Sequence, residues 1–178
     1  MLTVRSGKRF SSTKTSTFPR AVQRTETARV NPKRIEEATM SELLFVLQVE
    51  EGWPPVGKEG LNCTVCKGGY RVDVPPFFIK DLSVGDVITV QRNGAGDIVA
   101  WSHVRKSQRS TVWILVNGDE SIEDAIECLK RLQCNIERFT QYRYFAVDVP
   151  EECPVTSLDE CLDSIGERAR VVFPSFRH

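Results

Sequence analysis

A polar segment, Ser107-Gln108-Arg109-Ser110-Thr111, separates two apolar-rich halves of this 178-residue chain. Hydroxyl side chains, a guanidinium group and the N–H groups of a turn are donors that bind anions in proteins. The candidate ligand- or partner-binding residues of the segment are therefore Ser107, Arg109, Ser110 and Thr111. We favour the other interpretation, a structural hinge in which the same hydroxyls satisfy backbone groups of the loop.

Cys63 and Cys66 have the spacing that lets two thiolates reach one zinc ion. A structural zinc site needs two further ligands, and the sequence offers only His103 and His178 without a second Cys-x-x-Cys pair. We therefore favour two structural cysteines over a metal site, and we predict neither a metal nor a cofactor. Because no export signal is apparent, all six cysteines are expected to be free thiols in a reducing compartment.

Three aromatic residues, Tyr70, Phe77 and Phe78, lie close in sequence to basic residues. Aromatic rings beside positive charge are typical of sheets on which nucleic-acid bases stack. Packing in the core of a small barrel is the simpler interpretation, and we favour it. The three residues are retained as candidate contacts for a ligand or partner.

The chain has only two histidines, so no Ser-His-Asp or Cys-His arrangement can be assembled from its sequence. His103 alternates with Trp101 along a predicted strand, which indicates a packed or partly exposed side chain. The carboxylates of Asp73 and Asp86 occupy strand and turn positions, where solvated side chains are the default. No phosphate-binding loop, dinucleotide fingerprint or metalloprotease motif occurs. We therefore predict no catalytic residue.

The first half of the chain, residues 43–106, has the pattern of a β-rich, barrel-like lobe. Apolar and polar residues alternate over 70–74, as in a half-buried strand. Residues 98–104 are predicted to form a further strand, with Val99, Trp101 and His103 on one face and the other four residues on the opposite face. The glycine-rich stretch 93–97 is typical of a hairpin loop. Four or five short strands at this spacing favour a small antiparallel barrel or a curled sheet. The apolar plug Phe77-Phe78-Ile79 is expected to pack against the strand before it.

Residues 112–174 have a clearer pattern of strand, helix, strand, strand, helix and strand. Apolar residues recur at helical spacing in both helices. Each helix is predicted to begin with a capping box, Ser121 with Asp124 and Ser157 with Glu160. The order is that of a split βαβ, or ferredoxin-like, lobe. The sequence therefore predicts an α+β protein, in which a small antiparallel β-rich lobe is followed by a ferredoxin-like βαββαβ lobe.

Charge is unevenly spread along the chain. Residues 1–38 hold nine Lys and Arg residues and three acidic ones, so the remainder holds 15 basic and 21 acidic residues, a net charge of −6. An acidic body argues against a nucleic-acid partner, except through the basic tail. Residues 1–40 have few large apolar side chains and are predicted to be a disordered tail. Their composition also fits a transit peptide, or a start codon assigned too early.

Hydropathy gives no sign of a membrane protein. No run of about 18 apolar residues occurs, so the sequence predicts no membrane span. The N-terminal region also lacks the apolar stretch of a secretory signal. These features indicate a cytoplasmic protein.

Several short motifs occur in an order shared with one protein family. They are Tyr70-Arg71-Val72, Pro76-Phe77-Phe78, Gly85-Asp86-Val87-Ile88, Ser107-x-x-Ser110-Thr111 and Ala146-Val147-Asp148-Val149-Pro150. From about Leu43 to Phe173 the chain resembles a bacterial domain of unknown function, family number 4265. The linking motif of that family usually reads Ser-Gly-His-Ser-Thr, whereas Gln108 and Arg109 stand here in place of glycine and histidine. The resemblance implies a small bacterial protein and carries no established activity.

The function that these observations favour is a non-enzymatic binding protein. The acidic body favours a basic protein partner, as for an immunity protein that neutralises a bacterial toxin. One alternative is a regulatory module that binds RNA or a small ligand at the junction between the lobes. Another is a hydrolase or transferase that uses residues 107–111. The oligomeric state is not predicted.

Overall fold

The computed structural model describes residues 39–177, which form a closed β-barrel followed by a four-stranded sheet and two helices. The mainly antiparallel sheets and the two helices confirm the α+β class. The predicted tail lies outside the described residues, apart from Thr39 and Met40. Among the described helices, none is long and apolar enough to cross a membrane.

Five strands close the barrel in chain order around its wall. Neighbouring strands pair antiparallel, and a parallel bridge between Phe45 and Ile98 joins the first strand to the last. Period-two alternation turns one face of each strand inward, where residues such as Leu61 and Ile88 are buried. The strands are β1 (Met40–Val46), β2 (Lys58–Cys66), β3 (Gly69–Val72), β4 (Val87–Arg92) and β5 (Ile98–Arg105).

The second sheet has the strand order β7-β8-β6-β9, and each neighbouring pair is antiparallel. Its central strands are almost wholly buried, as continuous apolar runs require. The elements of this half are β6 (Ser110–Val116), α1 (Glu123–Arg131), β7 (Asn135–Phe139), β8 (Tyr144–Val149), α2 (Val155–Asp163) and β9 (Ala169–Ser175).

The two faces of the second sheet pack against different partners. The apolar stripes of α1 and α2 bury one face, which presents residues such as Ile114 and Val147. The other face presents Trp113 and Tyr144, which pack with aromatic residues from the segment between β3 and β4. The second sheet therefore lies between the helices and that segment.

Both helices begin without the predicted side-chain caps. No side-chain hydrogen bond caps the first turn of α1 or α2. Ser157 lies inside α2, which already begins at Val155. In α1 the carboxylate of Asp124 is held by Arg168, with Nη1–Oδ1 at 2.8 Å and Nη2–Oδ2 at 2.9 Å. The capping-box prediction is therefore wrong for both helices.

A disulfide joins Cys128 of α1 to Cys161 of α2, with a Cα–Cα distance of 5.8 Å. The prediction of six free thiols is therefore wrong for this pair. The pairing arises because the two helices lie side by side on one face of the sheet, a tertiary arrangement that cysteine spacing does not reveal. The free cysteines are Cys63, Cys66, Cys134 and Cys153.

The apolar plug divides between two cores. Ile79 joins the barrel core. Phe77 and Phe78 instead pack on the second sheet, with ring centroids 5.7 Å and 5.5 Å from that of Tyr144. The prediction that the plug packs against its preceding strand is therefore wrong for Phe77 and Phe78, because these two rings join the barrel segment to the second sheet.

Candidate functional site

The hydroxyl groups of the predicted linking segment lie together and bond to the structure around them. Ser107 Oγ donates to the carbonyl of Val84 at 2.7 Å. Thr111 Oγ1 donates to the carbonyl of Leu82 at 3.0 Å. Ser110 Oγ accepts the backbone N–H of Arg177 at 2.8 Å. Contacts of this kind are those that the hinge alternative requires.

Arg109 is held by a carboxylate of the chain itself. Its Nε and Nη2 donate to the two oxygens of Asp148 at 2.7 and 2.5 Å. Asp148 is buried in β8 and also accepts a hydrogen bond from Asn135 at 3.0 Å. The hydrogen bonds to Asp148 raise the pKa of Arg109 further above its ordinary value. An external anion at Arg109 would compete with this bidentate pair.

Asp86 is fully buried and is the centre of the junction between the two halves. Arg177 donates to both carboxylate oxygens, at 2.5 and 2.9 Å, and the backbone N–H groups of Ser83 and Ser107 donate at 3.0 and 2.7 Å. Burial alone would raise the pKa of Asp86, but Arg177 and these N–H groups hold it below its ordinary value. The prediction of a solvated turn residue is therefore wrong.

His103 is packed, as its strand alternation predicts. Its ring meets that of Trp101 edge-on, with centroids 4.9 Å apart. Its Nε2 lies 3.1 Å from an oxygen of Asp86. The histidine thus belongs to the same polar junction as Arg177.

The predicted aromatic contacts do not form one surface. Tyr70 packs against the barrel core, and the guanidinium carbon of Arg92 lies 6.0 Å from its ring centroid. Phe77 and Phe78 belong to the aromatic cluster on the second sheet. The structure therefore brings two of the three predicted aromatics together and places Tyr70 in a different cluster.

A buried carboxylate that the sequence interpretation missed positions these two phenylalanines. Glu59 accepts the backbone N–H of Phe77 at 2.6 Å and that of Phe78 at 3.0 Å, one on each oxygen. Burial raises the pKa of Glu59 to about 7, although the two backbone hydrogen bonds act in the opposite direction. The available signal was the alternation of Glu59, Leu61 and Cys63, which point inward from β2.

A cavity of about 390 Å³, which we call the chamber, adjoins this aromatic cluster. Trp113 and Tyr144 are buried side chains in its wall, and Trp53 lies beside them with its ring centroid 5.9 Å from that of Tyr144. The Nε1–H of Trp113 donates to the carbonyl of Pro76 at 2.7 Å, which fixes the indole. The chamber is lined by Trp53, Lys80, Trp113, Leu115, Tyr144, Arg170 and Val172.

One cysteine of the candidate metal pair, Cys63, lies where a thiolate is disfavoured. Cys63 is fully buried on β2, and burial, with a smaller contribution from Asp73, raises the pKa of its thiol to about 12. Cys66 is half-buried at the end of the same strand, and His178 lies outside the described residues. Within residues 39–177, no three His, Cys, Asp or Glu side chains are grouped as a metal site requires.

The barrel, the second sheet and its helices define a β-rich α+β protein with two hydrophobic cores and a connecting aromatic cluster. The chain belongs to the family described as a domain of unknown function, DUF4265, whose model matches residues 59–172. This match confirms the family resemblance that the short motifs indicated.

One solved structure, described as "Novel crystal structure of a hypothetical protein from Neisseria gonorrhoeae", is similar with a TM-score of 0.62. The two sequences are 14% identical, and the match covers 79% of this chain and 96% of that chain. At this identity the similarity shows the fold alone. No curated protein matches the chain.

Proposed function

We propose that this protein is a non-enzymatic binding protein whose ligand occupies the chamber. The observation that carries the proposal is the position of Trp53, which is 44% exposed beside the buried rings of Trp113 and Tyr144. A large exposed aromatic at the edge of a mainly apolar cavity is typical of a ligand site. A volume of about 390 Å³ is in the range of small-molecule pockets.

The polar junction is a less suitable place for a ligand. The guanidinium groups of Arg109 and Arg177 already pair with the buried carboxylates of Asp148 and Asp86. A ligand there would have to replace charge pairs in a poorly solvated position, where leaving one partner alone is costly. Entry into the chamber breaks neither of these pairs.

Trp53→Ala should weaken the binding of the neutral apolar dye Nile red by about tenfold, because the dye loses an aromatic contact worth about 1.4 kcal/mol. The measurement is a fluorescence titration of the full chain with the dye. Val104→Ala is the matched control, since Val104 is an exposed apolar residue of β5 that does not line the chamber. Equal dye affinity in both variants would count against the chamber as the binding site.

The strand order of the second half favours a particular fold class. The order β7-β8-β6-β9, with both helices on one face, favours a ferredoxin-like class for the second half. We include that assignment in the proposal. Proteins of this class have many unrelated activities, so the fold itself favours no particular ligand.

A protein partner with a basic surface is the second candidate, as for an immunity protein that neutralises a toxin. Exposed carboxylates on and before the helices favour it. Within residues 39–177 these carboxylates have no basic group within 4.0 Å. The same charge disfavours RNA. The carboxylates are those of Glu127, Glu151, Glu152, Asp159, Glu160 and Asp163.

The double variant Asp159→Asn/Asp163→Asn should weaken binding of a fluorescent oligolysine peptide about threefold at low salt, through loss of two adjacent charges. Fluorescence anisotropy of the full chain measures it. The control is Glu42→Gln/Glu137→Gln, which removes the same charge from exposed positions on β1 and β7. An equal loss in both double variants would mean that only net charge matters and would exclude a helix-specific surface.

A bacterial, cytoplasmic setting forms part of this proposal. Disulfides are rare in reducing compartments, so the Cys128–Cys161 bond argues against the cytoplasmic part of the proposal, which predicts two free thiols in the cell. Alkylation of intact cells before lysis, followed by mass spectrometry, distinguishes a bonded pair from two free thiols.

A further inference from the structure

We infer that the chamber selects organic anions, namely ligands with a flat apolar body and one carboxylate or similar acidic group. The inference rests on the proposed function of the chamber as a binding site and adds the chemical class of the ligand. It is carried by two cationic side chains, Lys80 and Arg170, that line the chamber together with its aromatic residues.

Neither cation is used within the described part of the chain. Lys80 and Arg170 are exposed, and neither has a side-chain hydrogen bond or an ion pair to another group of residues 39–177. Arg109, Arg168 and Arg177, by contrast, each hold a carboxylate. Two cations at one small cavity are therefore available to an incoming anion.

Acidic residues are unevenly distributed around the chamber, and this favours one end of it for an anion. No residue that lines the chamber is acidic. Glu50 and Glu51 line the adjoining cavity of about 650 Å³, which shares Lys80 and Trp53 with the chamber. Arg170 lines the chamber and not that cavity. A negative group is therefore favoured at the Arg170 end of the chamber, away from the two glutamates.

The remaining walls define the other part of the ligand. Trp53, Trp113 and Tyr144 present ring surfaces, and Leu115 and Val172 add aliphatic contacts. Aromatic surfaces of this kind favour a flat apolar group through stacked or edge-on contact. A guanidinium group binds a carboxylate through two parallel hydrogen bonds, and an ammonium group adds a further charge. The combination fits an aryl carboxylate better than a neutral aromatic compound.

The test compares 2-naphthoate with 2-naphthamide, which have the same ring system and differ in charge. Isothermal titration calorimetry of the full chain should show about tenfold tighter binding of the naphthoate, as one charge-assisted hydrogen-bonded pair predicts. Arg170→Gln and Lys80→Gln should each remove most of this preference, measured as the ratio of the two dissociation constants in the same variant. The matched controls, Arg105→Gln and Lys67→Gln, change exposed cations outside the chamber and should keep the preference.

The possible outcomes test the chemical class of the ligand separately from the chamber as a binding site. Tighter binding of the naphthoate that is lost in the chamber variants and kept in the controls supports the inference. Equal binding of both probes, lost on Trp53→Ala, overturns the anion preference and leaves the chamber as a binding site. A preference that persists in Lys80→Gln/Arg170→Gln overturns the assignment of these cations. Failure of both probes to bind overturns the chamber function together with the inference.

Discussion

Replacing Arg177 with methionine should lower the free energy of unfolding by about 3 kcal/mol at pH 7, because it leaves the carboxylate of Asp86 buried without its cation. The effect should be a decrease of about 6–12 °C in Tm for a chain of this length. Hydrogen bonds from the backbone N–H groups of Ser83 and Ser107 remain and limit the loss. Urea denaturation is the measurement, since guanidinium salts would screen the pair.

The sign of the pH dependence distinguishes this pair from general destabilisation. The pKa of Asp86 is held below its ordinary value, so the pair stabilises the protein above about pH 3.8 and the stabilisation is lost as the pH falls. The difference between the wild type and Arg177→Met should therefore shrink on acidification. Lys106→Met is the control, because it removes an exposed ion pair to Asp81 and should cost less than about 1 kcal/mol. Equal losses in the two variants would contradict the role assigned to Arg177.

Replacing Glu59 with glutamine should destabilise the protein by about 2 kcal/mol at pH 5. Glu59 accepts two backbone N–H groups, one on each oxygen, and the amide of glutamine would place an NH₂ donor against one of them. Phe77 and Phe78, whose N–H groups Glu59 accepts, also pack on Tyr144. The variant should therefore loosen the segment that joins the barrel to the second sheet.

The difference between wild type and Glu59→Gln should also depend on pH. The pKa of Glu59 is raised from 4.5 to about 7, so its favourable contribution is full below pH 4.5 and is lost as the pH rises through 7. The loss corresponds to about 3 kcal/mol, at 1.36 kcal/mol for each pKa unit. Urea unfolding at a series of pH values from 4 to 8 measures it.

The matched control is Glu42→Gln, which changes an exposed carboxyl on the neighbouring strand β1 and should shift stability by less than about 0.5 kcal/mol. Subtracting each variant from the wild type removes the contribution of the other titrating groups. Parallel curves for the wild type and Glu59→Gln would show that Glu59 is ionised throughout, held by its two backbone donors rather than neutralised by burial.

Local periodicity was sufficient to predict the α+β class and the order of strands and helices in the second half. The alternation of β5 and the apolar stripes of α1 and α2 are properties of adjacent residues, so the sequence contains them directly. The predicted capping box of α1 does not form because Asp124 bonds to Arg168, a partner 44 residues away. That of α2 does not form because the helix already begins at Val155, before Ser157. A capping box is recognised from the types of four consecutive residues. These four residues carry no information about a distant side chain, such as Arg168, that binds the capping carboxylate instead.

The candidate sites were harder to predict, because their chemistry depends on pairs that are distant in sequence. Ser107 and Ser110 could be selected as polar residues of a linking segment whose hydroxyls bond to backbone groups, but their partners at Val84 and Arg177 could not be identified from residue types. The burial of Asp86 depends on Arg177, 91 residues later. The chamber combines Trp53, Lys80 and Arg170 from three separated segments, and no spacing rule relates them.

The pairing of Asp86 with Arg177 also joins residues that are synthesised 91 positions apart. All five barrel strands lie between Met40 and Arg105, so the barrel can close while the second sheet is still being made. The ion pair of Asp86 can form only after Arg177, 91 residues later in the chain, has been translated. Until Arg177 leaves the ribosome, the nascent barrel carries an acidic group without its final partner. Synthesis of β9 and of Arg177, which follows it, therefore connects the second sheet to the barrel, the half of the molecule that is synthesised first.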